Sequence, residues 1–291
     1  FQYQIQAGDN DTNGISIDAN SLSLPSGSAI RDAFGNDANL THDEVSQNVE
    51  YKVDTAAPSV SSFTMSDTAI KAGETATVQL VLSEAVISFS SSADITAPNG
   101  SISTMTSSDN ITWSGTFTPA TDTEDATNTL SLATSYTDNA GNSAPSETTS
   151  NYAVETLAPT VSSVAITAAA VIQNNFVNAG DNVSVTATFS ETVVVDNSSG
   201  SPTLTIIVDS TSRTATYLSG SNSNQLVFQY SIQDGENDSD GISIGSNALA
   251  LNSSTIKDTA GNDATLTHNA VSDNSIYKVD TIPPTVSLSL I

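Results

Sequence analysis

The chain repeats itself. Phe1–Asp54 aligns with Phe228–Asp280 through a single one-residue gap, with roughly three positions in five identical, a density that internal duplication produces. FQYQIQAGDNDTNGISI becomes FQYSIQDGENDSDGISI, IRDAFGNDANLTH becomes IKDTAGNDATLTH, and VEYKVDT becomes IYKVDT. A unit copied in series must bury its apolar face within itself or against its neighbour, so the chain reads as several small domains rather than one large one. The first 54 residues correspond to the C-terminal part of such a unit. Hydrophobic residues are only 37% of the 291, and they alternate with Ser, Thr and Asn as in strands with one solvated face. The pattern is all-β.

Three punctuation marks recur. The first is an acid, Thr, two small or apolar residues and Pro, at Asp54–Pro58, Glu155–Pro159 and Asp280–Pro284. Proline fixes its own φ and drives the preceding residue extended, so each mark is a short stiff linker. The second is D-x-x-G-N, at Asp32–Asn36, Asp138–Asn142 and Asp258–Asn262, where Gly supplies positive φ and Asp and Asn form side-chain turns between strands. The third is an apolar strand carrying Ser-Glu, in VQLVLSEAV (78–86) and VSVTATFSETVVV (183–195). The linkers lie about 101 and about 125 residues apart, a spacing suited to β-sandwich domains. They divide the chain into the C-terminal part of a repeat (1–54), two whole repeats (55–155 and 156–280) and the first strand of another (281–291).

These motifs together, with WSGTFTP from Trp113 to Pro119, resemble the bacterial Ig-like tandem repeats of giant surface adhesins, the type I-secreted and biofilm-associated proteins. The resemblance covers the whole chain and implies tandem immunoglobulin-like β-sandwiches, with calcium at the joints. The glycine-rich nonapeptide calcium repeats found at the C-terminus of many such adhesins are absent from this sequence.

In an Ig-type sandwich the entering linker, the end of the second strand and the loop before the last strand meet at one pole. That topology gathers Asp54, Glu84 and Asp138 at the head of one repeat and Glu155, Glu191 and Asp258 at the head of the next, with Asp32 and Asp280 as counterparts in the flanking pieces. Two carboxylates about 4 Å apart repel by roughly 4 kcal/mol at an effective dielectric near 20, so such a cluster must spread, take up protons or bind a cation. Calcium accepts six to eight oxygens with tolerant geometry, and Asn139, Asn142 and Thr156 are placed to assist. The alternative is that Asp and Asn of D-x-x-G-N only shape a turn and the linker acids only confer solubility.

A second candidate is Asp9, Asp11 and Asn13 before Gly14, copied as Glu236, Asp238 and Asp240 before Gly241. Oxygen side chains at alternate positions followed by Gly resemble the opening of a D-x-D-x-D-G calcium loop, although Asn20 and Asn247 stand where an EF-hand has its bidentate Glu. The same residues also suit a metal-free turn.

The remaining signals are structural. His42 and His268 occupy one repeat position with no ligand partner at metal spacing, and read as strand-surface side chains. Sequons at Asn110 and Asn252 arise readily in a chain this rich in Asn, Ser and Thr. Trp113, Phe117, Phe189, Phe228 and Tyr230 sit in alternating strand patterns and are expected in or near cores. There is no nucleophile elbow, phosphate loop or zinc signature, so no enzymatic activity is expected. Six basic against 32 acidic residues give a net charge of −26, which repels nucleic acid and anionic lipid, and no apolar run is long enough for membrane insertion. The expected partners are calcium and neighbouring repeats of the same chain, outside the cell. The expected function is a structural extender of a surface adhesin; alternatives are repeats that themselves bind glycan, ice or protein, and spacers of an extracellular enzyme or surface fibre.

Overall fold

The computed structural model describes residues 1–169 and 172–288. Regular structure in them is almost entirely β-strand in several small sheets; the one α-helical piece among the described residues is the four-residue turn Ser91–Asp94. Two compact units emerge: Phe1–Thr68 with Thr75–Thr118 and Thr127–Tyr152, and Ala69–Glu74 with Pro119–Ala126 and the chain from Ala153 onward. These divisions differ from the linker-based boundaries. Compactness follows contacts rather than linkers, and two short pieces of the 55–155 stretch, Ala69–Glu74 and Pro119–Ala126, hydrogen-bond around Glu155, Thr156 and Asn262.

In the first unit an antiparallel sheet runs in the order Gly100–Ile102, Thr112–Pro119, Ala76–Leu82, Val60–Met65. Ala76–Leu82 is its central strand, with Ala76, Val78, Leu80 and Leu82 buried and Thr77 and Gln79 exposed, the period-two pattern that a strand with one solvated face requires. Across the core lie Ser131–Leu132, paired with Ile95–Thr96 and Glu147–Thr148, and Thr137–Asp138, paired with Val86–Ile87. Aromatic rings join the layers: Phe117 meets Tyr152 edge-on at 5.1 Å between centroids, and Phe89 contacts both Trp113 and Tyr136. Each fully buried large apolar side chain contributes about 1.5–3 kcal/mol of burial free energy.

The second unit is built on Asn182–Asp196, a 15-residue strand that serves two sheets. Up to Thr188 it pairs with Val161–Ala169 and Ser223–Ser231; after a register shift between Thr188 and Val193, its end pairs with Thr255–Lys257. A bend of this kind lets one strand turn the corner of a sandwich. The core between the sheets contains Val183, Val185, Phe189, Leu204, Ile206, Leu226, Phe228, Ile242, Ile244 and Val279.

Of the five aromatic residues expected in cores, Phe117, Phe189 and Phe228 are fully buried and Trp113 and Tyr230 partly so. Phe1, Ile15 and Ile17, the duplicates of Phe228, Ile242 and Ile244, are exposed. Their counterparts are covered by Val161–Ala169 and Asn182–Asp196, and no equivalent strands pack on them among the described residues. Thr281–Leu288, read from sequence as the opening of a further repeat, forms no ladder among the described residues, and 289–291 lie outside them.

The alternation makes a direct prediction. Leu80→Ala should destabilise the first unit by about 2–5 kcal/mol, whereas Thr77→Ala on the same strand should change it by less than about 0.5 kcal/mol. Denaturant unfolding followed by fluorescence of the single tryptophan, Trp113 on the adjacent strand, reads both; equal losses would contradict the assigned faces.

Candidate functional site

The recurring marks meet because main-chain hydrogen bonds sew them together. At the head of the first unit Ser83 donates its N–H to Ser59 O (2.9 Å), while its hydroxyl accepts from Ser59 N (2.9 Å). In the second unit Ser190 repeats the exchange with Thr160 at 2.8 and 3.0 Å. The serine of each Ser-Glu mark therefore fastens the chain just beyond the linker proline. The glutamate that follows falls where the strand leaves one sheet for the other: Glu84 between Leu82 and Val86, Glu191 inside the register shift of Asn182–Asp196.

The D-x-x-G-N loops share the bonds from Asn to Asp. Asp138 Oδ1 accepts from the N–H groups of Ala140, Gly141 and Asn142 at 2.7–2.9 Å, and Oδ2 accepts from Asn142 Nδ2 at 2.8 Å. Asp258 binds Gly261 and Asn262 in the same way, and Asp32 binds Phe34 and Asn36. At Asp138 these bonds crowd Oδ1 and place only one on Oδ2, so Oδ2 keeps an acceptor position. The linker acids likewise cap their own turns, Asp54 accepting from Ala56 N, Glu155 from Leu157 N and Asp280 from Ile282 N at 2.9–3.0 Å.

Asp54, Glu84 and Asp138 converge. Their carboxylate oxygens lie within 4.8 Å of one another, the one such set of three acids among the described residues. Burial, then the charges of Asp54 and Asp138, push Glu84 above the usual carboxylate range. Burial also acts to raise Asp138, but the hydrogen bonds from Asn142, Ala140 and Gly141 outweigh it and hold that group below its usual value.

Glu155, Glu191 and Asp258 are neighbours in a looser arrangement. Glu191 is raised by burial first and then by the charges of Asp258, Glu155 and Glu124. Glu155 is raised by burial first; a bond from Leu157 N–H opposes this, and the charges of Glu124 and Asp258 add to it. Glu124 belongs to no recurring mark, so its place beside these acids was not readable from the repeat pattern.

The auxiliary groups have other partners than an ion. The Thr156 hydroxyl donates to Ala120 O (2.8 Å) and accepts from Thr123 N (3.0 Å). Thr55 makes the same clasp with Asp9 O and Gly8 N, and Thr281 with Glu236 O and Gly235 N. The linker threonine is thus a fastener to the loop before it. Asn142 directs its amide N–H groups at Asp54 O, Ala56 O and Asp138, while Asn139 is exposed.

The second candidate loop is bonded internally. Asp9 accepts from Tyr3 and Gln6, and Asp11 from the N–H groups of Asn13 and Gly14. Glu236 pairs with Arg213 and accepts from Tyr230 and Gln233, while Asp238 accepts from Gly241 N and Asp209 N. Burial raises Asp238 and the Asp240 charge adds to it, against the bonds from Asp209 and Gly241. Asn20 and Asn247 adopt positive φ and accept from His42 N and His268 N, a turn role. Each histidine in turn accepts a backbone N–H through Nε2, from Leu22 and from Ala248, so both staple loops.

Comparison with known proteins places this site. Residues 54–154, the stretch holding Asp54, Glu84 and Asp138, match the bacterial Ig-like domain family Big_12. This stretch is a bacterial Ig-like domain. The match begins at the linker acid itself. No curated protein matches the chain. The match to an Ig-like domain supports a structural, non-enzymatic role for this stretch, in a family associated with extracellular and cell-surface bacterial proteins.

The raised carboxyls give a pH prediction. A glutamate whose folded pKa lies above its unfolded value stabilises fully while protonated, below about pH 4, and that contribution is lost as pH rises through the folded value. Glu84→Gln should therefore raise the melting temperature of the Ig-like domain in chelator at pH 7, with the gain vanishing near pH 4. A gain independent of pH would contradict the crowding of Glu84 by Asp54 and Asp138.

Proposed function

We propose that the chain is a series of Ig-like repeats serving as an extender segment of a long bacterial surface adhesin, stiffened at its joints by calcium. The supporting observation is the convergence of Asp54, Glu84 and Asp138, brought together from a linker, a strand corner and a loop. Asp54, Glu84 and Asp138 would hold one ion; Glu155, Glu191 and Asp258, with Glu124 beside them, would hold another after a small closure. Calcium bound there supplies positive charge that offsets the carboxylate repulsion. Its binding stabilises the folded joint by mass action.

An extender has to transmit length without using its surface for chemistry. The net charge of −26 keeps such chains apart and soluble, and the duplicated sequence lets one joint design recur along the array. Calcium outside the cell would stiffen the joints, and its scarcity inside would leave them loose before export.

Solution scattering and thermal melts of the full chain in calcium and in chelator test the proposal. Calcium should raise the melting temperature and narrow the range of maximum dimensions, and Glu84→Ala with Asp138→Asn should abolish the response of the first unit while sparing the second. Identical profiles in calcium and chelator would overturn the calcium reading.

A further inference from the structure

Asn262 closes the D-x-x-G-N loop of the second unit, is buried, and is bonded to three separate segments. Its Nδ2 donates to Asp258 Oδ2 (2.7 Å) within its own loop and to the main-chain carbonyl of Glu155 (2.9 Å) in the linker. Its Oδ1 accepts the N–H of Ala72 (2.9 Å), which sits in the Lys71–Glu74 turn closed by a Glu74 N to Lys71 O bond. Both amide protons and the carbonyl oxygen are engaged by protein groups, so Asn262 has the bonding of a connector. Asn142 in the first unit makes the corresponding bonds to Asp54 O and Asp138 Oδ2, at 3.2 and 2.8 Å.

Two of these bonds act on main chain and the third on the Asp258 carboxylate. Holding Glu155 O fixes the peptide from which the Glu155 side chain departs, and the Asp258 bond fixes the opposite wall. The remaining contact reaches a turn that also brings Lys71, whose Nζ lies 3.1 Å from where a Cβ on Gly261 would be. The ammonium of Lys71, paired with Glu74, stands beside this loop without entering the acid cluster. None of these bonds needs a metal ion.

We propose that the asparagine of D-x-x-G-N is a positioning residue that latches the joint independently of metal, fixing the linker acid's main chain so that the acids are arrayed before any ion arrives. In the second unit Asn262 is the latch and Ala72 N–H, Glu155 O and Asp258 are its three anchors. The inference rests on the reading of these linkers as joints of an extender. It adds that calcium tightens a joint already assembled rather than assembling it, which lowers the ordering cost of binding.

Amide hydrogen exchange by NMR on the full chain in chelator tests it. The Ala72 amide should be protected in the parent protein, and Asn262→Ala should speed its exchange on the order of fivefold or more, the loss of one hydrogen bond, while Val185 and Ala187 amides in the core strand stay unchanged. Asn262→Ser shortens the side chain without adding charge and should likewise speed Ala72 exchange, a second variant that reads the latch should the alanine variant fold poorly. An unprotected Ala72 amide in the parent protein, or equal protection in Asn262→Ala, would overturn the latch. Adding calcium to the same samples separates the two ideas: a protected Ala72 with no calcium response at Glu155 or Glu191 removes the calcium reading and leaves the latch, whereas a calcium response beside an unprotected Ala72 removes the latch alone.

Discussion

Like charges held close by a rigid frame are the constraint around which the rest of the structure is arranged. Left free, the acids of each head would move apart, since repulsion at a few ångströms is comparable to the stability contributed by one or two buried side chains. They cannot, because the Ser83–Ser59 and Ser190–Thr160 exchanges fasten the linker to the strand corner, and Asn142 and Asn262 fasten the loop to the linker carbonyl. Burial first, and then this crowding, raise the pKa values of Glu84 in one unit and of Glu155 and Glu191 in the other. A fold that maintains such crowding invites a compensating cation or proton.

Much of this was legible in the sequence. Alternation in VQLVLSEAV gave the faces of Ala76–Leu82, and the spacing of three marks, combined with Ig topology, brought Asp54, Glu84 and Asp138 to one pole. The D-x-x-G-N turn also has the side-chain bonding its residues imply. What sequence hid was of two kinds. Partners without a recurring mark, such as Glu124 and the Ala72 amide, leave no pattern to detect, because one is a single unrepeated acid and the other a backbone group. Residues with two chemically reasonable roles were ambiguous: Thr156, Asn142 and the acids from Glu236 to Asp240 have oxygen donors suited to calcium, yet nearby N–H groups and carbonyls engage them.

The duplicated C-terminal parts show how much a sequence motif depends on its surroundings. Phe1 and Phe228 open near-identical stretches, yet one is exposed and the other buried, since burial of the pattern requires strands such as Val161–Ala169 and Asn182–Asp196. The turn chemistry, in contrast, is the same in both copies, from the Asp11 and Asp238 bonds to Gly14 and Gly241 to the clasp of Thr55 and Thr281. Local hydrogen bonding is written in the copied segment itself. The core is not.

The most direct measurement is anomalous diffraction from crystals of the full chain grown with calcium and, separately, with terbium as its substitute. The account predicts a peak among the carboxylates of Asp54, Glu84 and Asp138, lost in Glu84→Ala. Crystals grown with either ion that show no peak at those three side chains would contradict it.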